Sequence, residues 1–170
     1  MNTKKLVYTA AFLALGIIFP GIFHLLGLPG QVLLPMLVPI FLAALTLGPL
    51  SGLTVGVLTP ILSSLLTGMP PMVPMVPIMV FELAAYGFFA GFLYEKYPKN
   101  IFIPILGAMV IGRIVAGIAA YVVFNMFNME QINILTFIGT SFAKSIPGII
   151  MNLVLVPLLY KWMPREVKNS

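Results

Sequence analysis

The chain carries little charge and lacks two residue types that many catalytic sites need. It contains no Cys and no Asp, and charged residues make up 8% of its 170 residues. The missing Cys excludes disulfides, thiolate metal sites and cysteine nucleophiles. The missing Asp and the absence of a Gly-x4-Gly-Lys-Ser/Thr loop exclude a Walker-type ATPase site and an aspartyl-phosphate enzyme. We therefore expect no enzymatic activity of these kinds, no metal and no cofactor.

Apolar residues, in contrast, are abundant. Hydrophobic residues make up 61% of the chain and the mean hydropathy is +1.11, so a soluble fold could not cover itself with polar surface. About 20 apolar residues cross a bilayer core of about 30 Å, which allows about six spans. We predict one all-α membrane domain over residues 1–170, with six transmembrane helices at 5–24, 32–48, 51–67, 75–94, 101–125 and 135–162.

The basic residues outside these spans are distributed unevenly. They flank the helix ends on the side that carries both termini, whereas the opposite loops contain no Lys or Arg. These residues are Lys4, Lys5, Lys96, Lys99, Lys161, Arg165 and Lys168. The positive-inside rule predicts that both termini face the cytoplasm. Because the cations are scattered at helix ends and form no stripe, we expect no binding of nucleic acid.

Three ionisable side chains lie inside the predicted spans: Glu82 in the fourth, Arg113 in the fifth and Lys144 in the sixth. A charge at the middle of a spanning helix costs about 2.5 kcal/mol or more, so such residues face one another, water or a ligand. At 1.5 Å per residue, Glu82 and Lys144 lie roughly 10 and 14 Å from the outer ends of their helices. Arg113 lies near the middle of its helix. The sequence predicts a pocket in the outer half of the last three helices.

Polar neighbours support this pocket. Tyr86 is one helical turn from Glu82 and should share its helix face, while Ser141 and Ser145 lie three residues and one residue from Lys144. Asn125 is predicted at the outer end of the fifth span. The alternative is that the carboxylate and one cation form an ion pair that only locks the bundle. That pair would leave one cation uncompensated, and an anionic or strongly hydrogen-bonding ligand would then be its partner.

The outer loops are also unusual, because they are apolar and rich in proline and methionine. Residues 69–77 carry no charge; proline prevents regular helix there, and methionine supplies flexible apolar surface. We predict that Met72, Pro74 and Met75 form a lid over the pocket. His24, the only histidine, is either a contact to the ligand or an interfacial hydrogen-bonding residue.

Several short motifs, taken with six spans, resemble a known family over essentially the whole chain. They are Ala10-x-x-x-Ala14, Leu34-Pro35-Met36-x-x-Pro39, Leu47-Gly48-Pro49-x-x-Gly52 and Ser63-Ser64-Leu65-Leu66-Thr67-Gly68. The chain resembles the substrate-binding S component of an energy-coupling factor (ECF) transporter, a class of ABC transporter. The resemblance implies a protein of the bacterial plasma membrane that captures a vitamin-like small molecule from outside. It also implies docking through Ala10 and Ala14 on a T subunit that carries two ABC ATPases.

The sequence limits the cargo only loosely. A positive surplus in the pocket favours a carboxylate or phosphate, as in pantothenate, while pyridoxine-like, pyrimidine, folate and cobalamin cargo remain open. The chain lacks the Met-His start of the nickel and cobalt members. Its only tryptophan, Trp162, lies at the predicted cytoplasmic end, so a thiamine site built on tryptophan stacking is not expected.

Two other classes remain as alternatives. A stand-alone secondary transporter would use Glu82 as a proton carrier, although the six spans show no evident internal repeat. An intramembrane enzyme would use Ser141 or Ser145 beside Lys144 as a Ser-Lys pair, but no oxyanion-hole signature accompanies these residues.

Overall fold

The computed structural model describes residues 3–25, 34–127 and 133–168, which form helices joined by short turns. The helices are α1 (Thr3–Leu25), α2 (Leu37–Leu47), α3 (Pro49–Thr67), α4 (Met75–Lys96), α5 (Phe102–Met126), α6 (Ile134–Trp162) and α7 (Arg165–Lys168). Five of them, α1 and α3 to α6, are long and apolar enough to cross a membrane. The predicted all-α, multi-pass membrane protein is confirmed to this extent.

Helix α2 is shorter than the predicted second span. It has 11 residues, which corresponds to about 17 Å and falls short of a bilayer core of about 30 Å. Leu34 precedes Pro35, a position that disfavours right-handed helix, and its backbone is left-handed with φ of 52°. The helix therefore begins only at Leu37. A sixth full span stays a prediction.

The same short helix forms the centre of the bundle. Its sequence, LVPIFLAALTL, is apolar on every side, and every residue from Leu37 to Leu47 is buried. A helix that is hydrophobic all round is stable only when neighbours cover it all round. Helices α1, α3, α4, α6 and α7 do so.

Glycines set the crossing of α3 and α4, which pack closely together. A Cβ atom on Gly52 would lie 2.5 Å from the carbonyl oxygen of Gly87, and one on Gly91 would lie 2.6 Å from the Cα atom of Pro49. Gly56 meets the backbone of Leu83 in the same way. Because glycine has no Cβ atom, the two helix backbones approach closely inside this bundle.

The described start and end of the chain lie at the same end of the bundle. A Cβ atom on Gly48 would lie 3.4 Å from Glu95 Oε1 and 3.9 Å from Lys5 Nζ. The start of α1 and the end of α4 therefore meet beside Gly48. The hydroxyl groups of Tyr94 and Tyr160 are 2.9 Å apart and join the ends of α4 and α6. We call this the terminal end; the compartment that it faces stays a prediction.

Candidate functional site

A buried polar cluster joins α4, α5 and α6 around Arg113. Its Nη1 donates to Glu82 Oε1 at 2.6 Å, and its Nη2 donates to the hydroxyl of Ser145. The side chains of Arg113 and Glu82 are 10% and 12% exposed. Tyr86 donates its phenolic proton to the same Glu82 oxygen at 2.7 Å. These four residues are called the Arg113 cluster below.

Local sequence explains how Tyr86 reaches this position. It follows Glu82 by one helical turn on α4, so both side chains point toward α5. The ring lies over Gly112 of α5, where a Cβ atom would overlap it. On its other side the ring contacts Phe41 of α2, with centroids 6.1 Å apart. The glycine thus makes room for a tyrosine that is 1% exposed and fixes the carboxylate beside Arg113.

Ser145 completes the cluster, although the prediction from sequence named Ser141 as the site residue. The Ser145 hydroxyl accepts from Arg113 and donates to the Ser141 carbonyl oxygen at 2.6 Å. Ser141 therefore contacts the cluster through its backbone carbonyl oxygen. Adjacent residues on a helix point about 100° apart, so Lys144 and Ser145 do not both face the cluster. The residue of α6 that faces the Arg113 cluster is therefore Ser145, and not Lys144.

Lys144 lies apart from the cluster. Its side chain is exposed, and the ion pair found among the described residues joins Arg113 to Glu82. The predicted alternative of an ion pair with one cation left over matches this arrangement. Ser145 is buried and bonded to Arg113 and to the Ser141 carbonyl oxygen, while Lys144 is exposed, so no hydrogen bond between Ser145 and Lys144 is found among the described residues.

The half of α6 away from the terminal end, residues 134–144, packs little against the rest of the bundle. Between residues 133 and 144, none of the described side chains is buried, and the first buried one is Ser145. The Arg113 cluster therefore lies at the depth where α6 first meets its neighbours.

The remaining predicted site residues are more peripheral. Asn125 is exposed at the end of α5 away from the terminal end, and its Nδ2 donates to the carbonyl oxygen of Tyr121 at 2.8 Å. His24 is part of helix α1, but its side chain is not among those that the structure describes. The predicted docking residues Ala10 and Ala14 are both exposed on one face of α1.

The predicted lid residues lie at the junction of α3 and α4. Met72 is 48% and Met75 41% exposed, and Pro74 is half-buried. The loop is held at its beginning, where Ser63 donates to the Met69 carbonyl oxygen at 2.9 Å and Ser64 to that of Pro70 at 2.6 Å. The serines therefore fix one side of the loop and leave Met72 on its exposed part.

Asn152 is a buried polar residue deeper in α6. Its Nδ2 donates to Gly148 on its own helix at 2.8 Å and to the carbonyl oxygen of Leu34 at 3.4 Å. The second bond links α6 to the turn that precedes α2, as expected for a polar residue that joins helices. Its Oδ1 has no partner among the described residues.

Comparison with known proteins identifies one family. The family model described as ECF transporter, substrate-specific component, matches residues 4–160. Searches of the curated proteins and of the solved structures found no match. The match covers α1 to α5 and nearly all of α6, so it includes the whole Arg113 cluster.

Proposed function

Since the chain belongs to the family of ECF transporter substrate-specific components, we propose that it captures a small water-soluble vitamin or related micronutrient outside the cell. The binding site lies between the outer halves of α4, α5 and α6. Its candidate contacts are Glu82, Tyr86, Arg113, Ser141, Lys144, Asn125 and His24, with Met72, Pro74 and Met75 as the lid. The protein then delivers its cargo through the bacterial plasma membrane, with both termini in the cytoplasm.

The observation that carries this proposal is a buried ion pair beside a loosely packed helix. Glu82 and Arg113 are held in apolar surroundings, a costly arrangement that membrane proteins keep mainly at functional positions. The outer half of α6 has no buried side chain among the described residues, so a polar ligand has room to approach. Contacts between a ligand and this half of α6 would then complete the binding site.

Charge indicates the class of substrate. Glu82 already neutralises Arg113, and both terminal nitrogens of Arg113 are bonded. The free cation on this part of α6 is Lys144, which is exposed and makes no described ion pair. We therefore propose that Lys144 binds the carboxylate or phosphate of an acidic vitamin. The Arg113 cluster binds the neutral hydrogen-bonding part of the same molecule.

Docking on the energising module uses α1 in this proposal. Ala10 and Ala14 are one helical turn apart and exposed on the same face, flanked by exposed Leu6 and Val7. Small residues at this spacing let a second helix approach closely. The partner is the T subunit with its two ABC ATPases, since the chain has no ATPase motif of its own.

Binding calorimetry of the purified protein against a panel of vitamins tests the capture step. One acidic vitamin is expected to bind. Lys144→Met should weaken it at least about tenfold, because a hydrogen bond to a charged group contributes about 1.5–3 kcal/mol. Lys161→Met removes the same charge from the terminal end of α6 and should leave the affinity unchanged. Equal affinities in both variants would exclude Lys144 from the site.

Uptake tests the docking step. Ala10→Trp or Ala14→Trp should preserve vitamin binding by the isolated protein but block uptake in cells that contain the T subunit and ATPases. Leu15→Trp is the control, because Leu15 is also exposed but points about 100° or more away from both alanines. Uptake by proteoliposomes without partner subunits or ATP would instead support the alternative, a proton-coupled secondary transporter.

A further inference from the structure

A cleft at the terminal end of the bundle separates the end of α4 from the start of α5 and the end of α6. It has a volume of about 470 Å³, within the range of small-ligand sites. Its walls include Tyr94, Lys99, Asn100, Phe102, Pro157 and Tyr160. This terminal cleft lies at the opposite end of α4 from Glu82, so the proposed vitamin site does not account for it.

The polar groups of the terminal cleft suit an anion. Lys99 is exposed and supplies a full positive charge. The Oδ1 atom of Asn100 accepts the N–H of Phe102 at 3.0 Å, which leaves its NH2 group as a donor. Tyr94 and Tyr160 place two phenolic oxygens 2.9 Å apart in the same wall. No acidic residue is among the described lining residues.

The carboxylate of Glu95, the residue that follows Tyr94, lines a different space. Glu95 lines an adjoining cleft of about 320 Å³ together with Gly48 and Gly91. The two clefts share Tyr94 and Pro98, so the tyrosine separates the carboxylate from the basic side. An anion beside Lys99 is therefore not opposed by a carboxylate in the same cleft.

Apolar surfaces continue from the mouth of the terminal cleft along both flanking helices. On α5, Phe102, Ile103 and Leu106 are 44–49% exposed. On α6, Leu158 is 49% and Trp162 81% exposed, and tryptophan at a helix end is typical of the membrane interface. A free anion would gain nothing from these surfaces, whereas acyl chains would cover them.

We propose that the terminal cleft binds the headgroup of an anionic phospholipid, with the phosphate beside Lys99 and Asn100 and the acyl chains against α5 and α6. Basic pockets between transmembrane helices at one membrane face recognise lipid headgroups in this way. The lipid would join the end of α6 to α5. It acts at the end of the bundle away from the Arg113 cluster, and it does not require any particular cargo.

Native mass spectrometry of the whole protein, released from nanodiscs of phosphatidylcholine with a minority of phosphatidylglycerol, tests this site. The wild-type protein should retain one phosphatidylglycerol in preference to phosphatidylcholine. Lys99→Gln should lower the retained fraction about fivefold, the effect of one lysine near an anionic membrane surface. Lys96→Gln removes an identical charge from the same segment, outside the cleft, and should retain lipid as the wild type does.

A second variant separates binding from folding. Asn100→Asp keeps the oxygen that accepts the Phe102 N–H, so the hydrogen bond at the start of α5 is preserved, but it replaces the NH2 donor with negative charge. It should lose the lipid at least as strongly as Lys99→Gln while the protein keeps its thermal stability in detergent. Equal loss in the Lys96 and Lys99 variants would reduce the effect to general surface charge and overturn the site.

Inorganic phosphate distinguishes the source of the anion. Added to the protein in detergent without lipid, it should neither raise the melting temperature nor depend on Lys99. A phosphate effect that Lys99→Gln removes, without selective retention of phosphatidylglycerol, would overturn the assignment to lipid.

Discussion

Removing one partner of the ion pair between Glu82 and Arg113 should destabilise the bundle far more than removing the charge of both. In Arg113→Met, the carboxylate of Glu82 stays in a position that is 12% exposed and loses its cation. In the double variant Glu82→Gln and Arg113→Met, no buried charge remains, and the glutamine can still accept from Tyr86. The comparison therefore isolates the interaction between the two charges.

The structure sets the expected magnitude. Removing one member of a buried ion pair costs about 3–5 kcal/mol, while replacing both by neutral groups is often close to neutral. An ordinary hydrogen bond between transmembrane helices contributes about 0.6 kcal/mol on average. We expect the free energy of unfolding to fall by about 3 kcal/mol or more in Arg113→Met. It should recover to within about 1 kcal/mol of the wild-type value in the double variant.

Unfolding by sodium dodecyl sulfate, followed by circular dichroism, measures these free energies in a double-mutant cycle. The single variant Glu82→Gln completes the cycle and leaves Arg113 as the unpaired charge. If the two single effects add up to that of the double variant, the charges do not interact, and our account of the Arg113 cluster is wrong. Loss of less than about 0.6 kcal/mol in Arg113→Met would likewise reduce the pair to an ordinary hydrogen bond.

Two further comparisons each pair a residue in close contact with a control residue of the same type. Ser145→Ala should lower the free energy of unfolding by about 1–3 kcal/mol, because it leaves a buried guanidinium nitrogen without its acceptor, whereas Ser141→Ala keeps the backbone carbonyl and should change it little. Gly52→Ala should cost about 1–3 kcal/mol or more in the same assay, since its Cβ would lie 2.5 Å from the carbonyl oxygen of Gly87. Gly139→Ala meets nothing within 4 Å and should be neutral or slightly stabilising. No effect of the Gly52 change would contradict the described helix crossing, and a large effect of the Gly139 change would contradict the open space around that residue.

Much of the fold follows from the sequence because length and hydropathy determine which segments cross a bilayer. The predicted bounds of the third, fourth, fifth and sixth spans agree with α3 to α6 within a few residues. The exception is α2, where Leu34 and Pro35 delay the start of the helix. Hydropathy cannot separate a short helix wrapped by protein from a full span, since both are apolar all round.

The candidate site was less predictable, because helix rotation decides which polar residue faces the interior. The spacing of Glu82 and Tyr86 placed both on one face, and they are hydrogen-bonded. On α6, the lysine attracted attention as the charged residue, whereas the neighbouring Ser145 contacts Arg113. Two neighbouring helix residues differ by about 100° in direction, and only their burial in the structure shows which one faces inward. The role of Gly112 in accommodating a ring from another helix depends on packing that no local pattern encodes.

The bonding of Arg113 also constrains how a ligand can bind. Its two terminal nitrogens already donate to Glu82 and Ser145, so an acidic ligand at Arg113 would have to displace one of them. Displacing Glu82 would leave a second buried anion beside the ligand, an arrangement that repulsion and desolvation both oppose. An acidic group therefore finds a better partner in exposed Lys144. On this reasoning the neutral double variant at Glu82 and Arg113 should lose only its contacts to the neutral part of an acidic vitamin, while Lys144→Met should lower the affinity at least about tenfold.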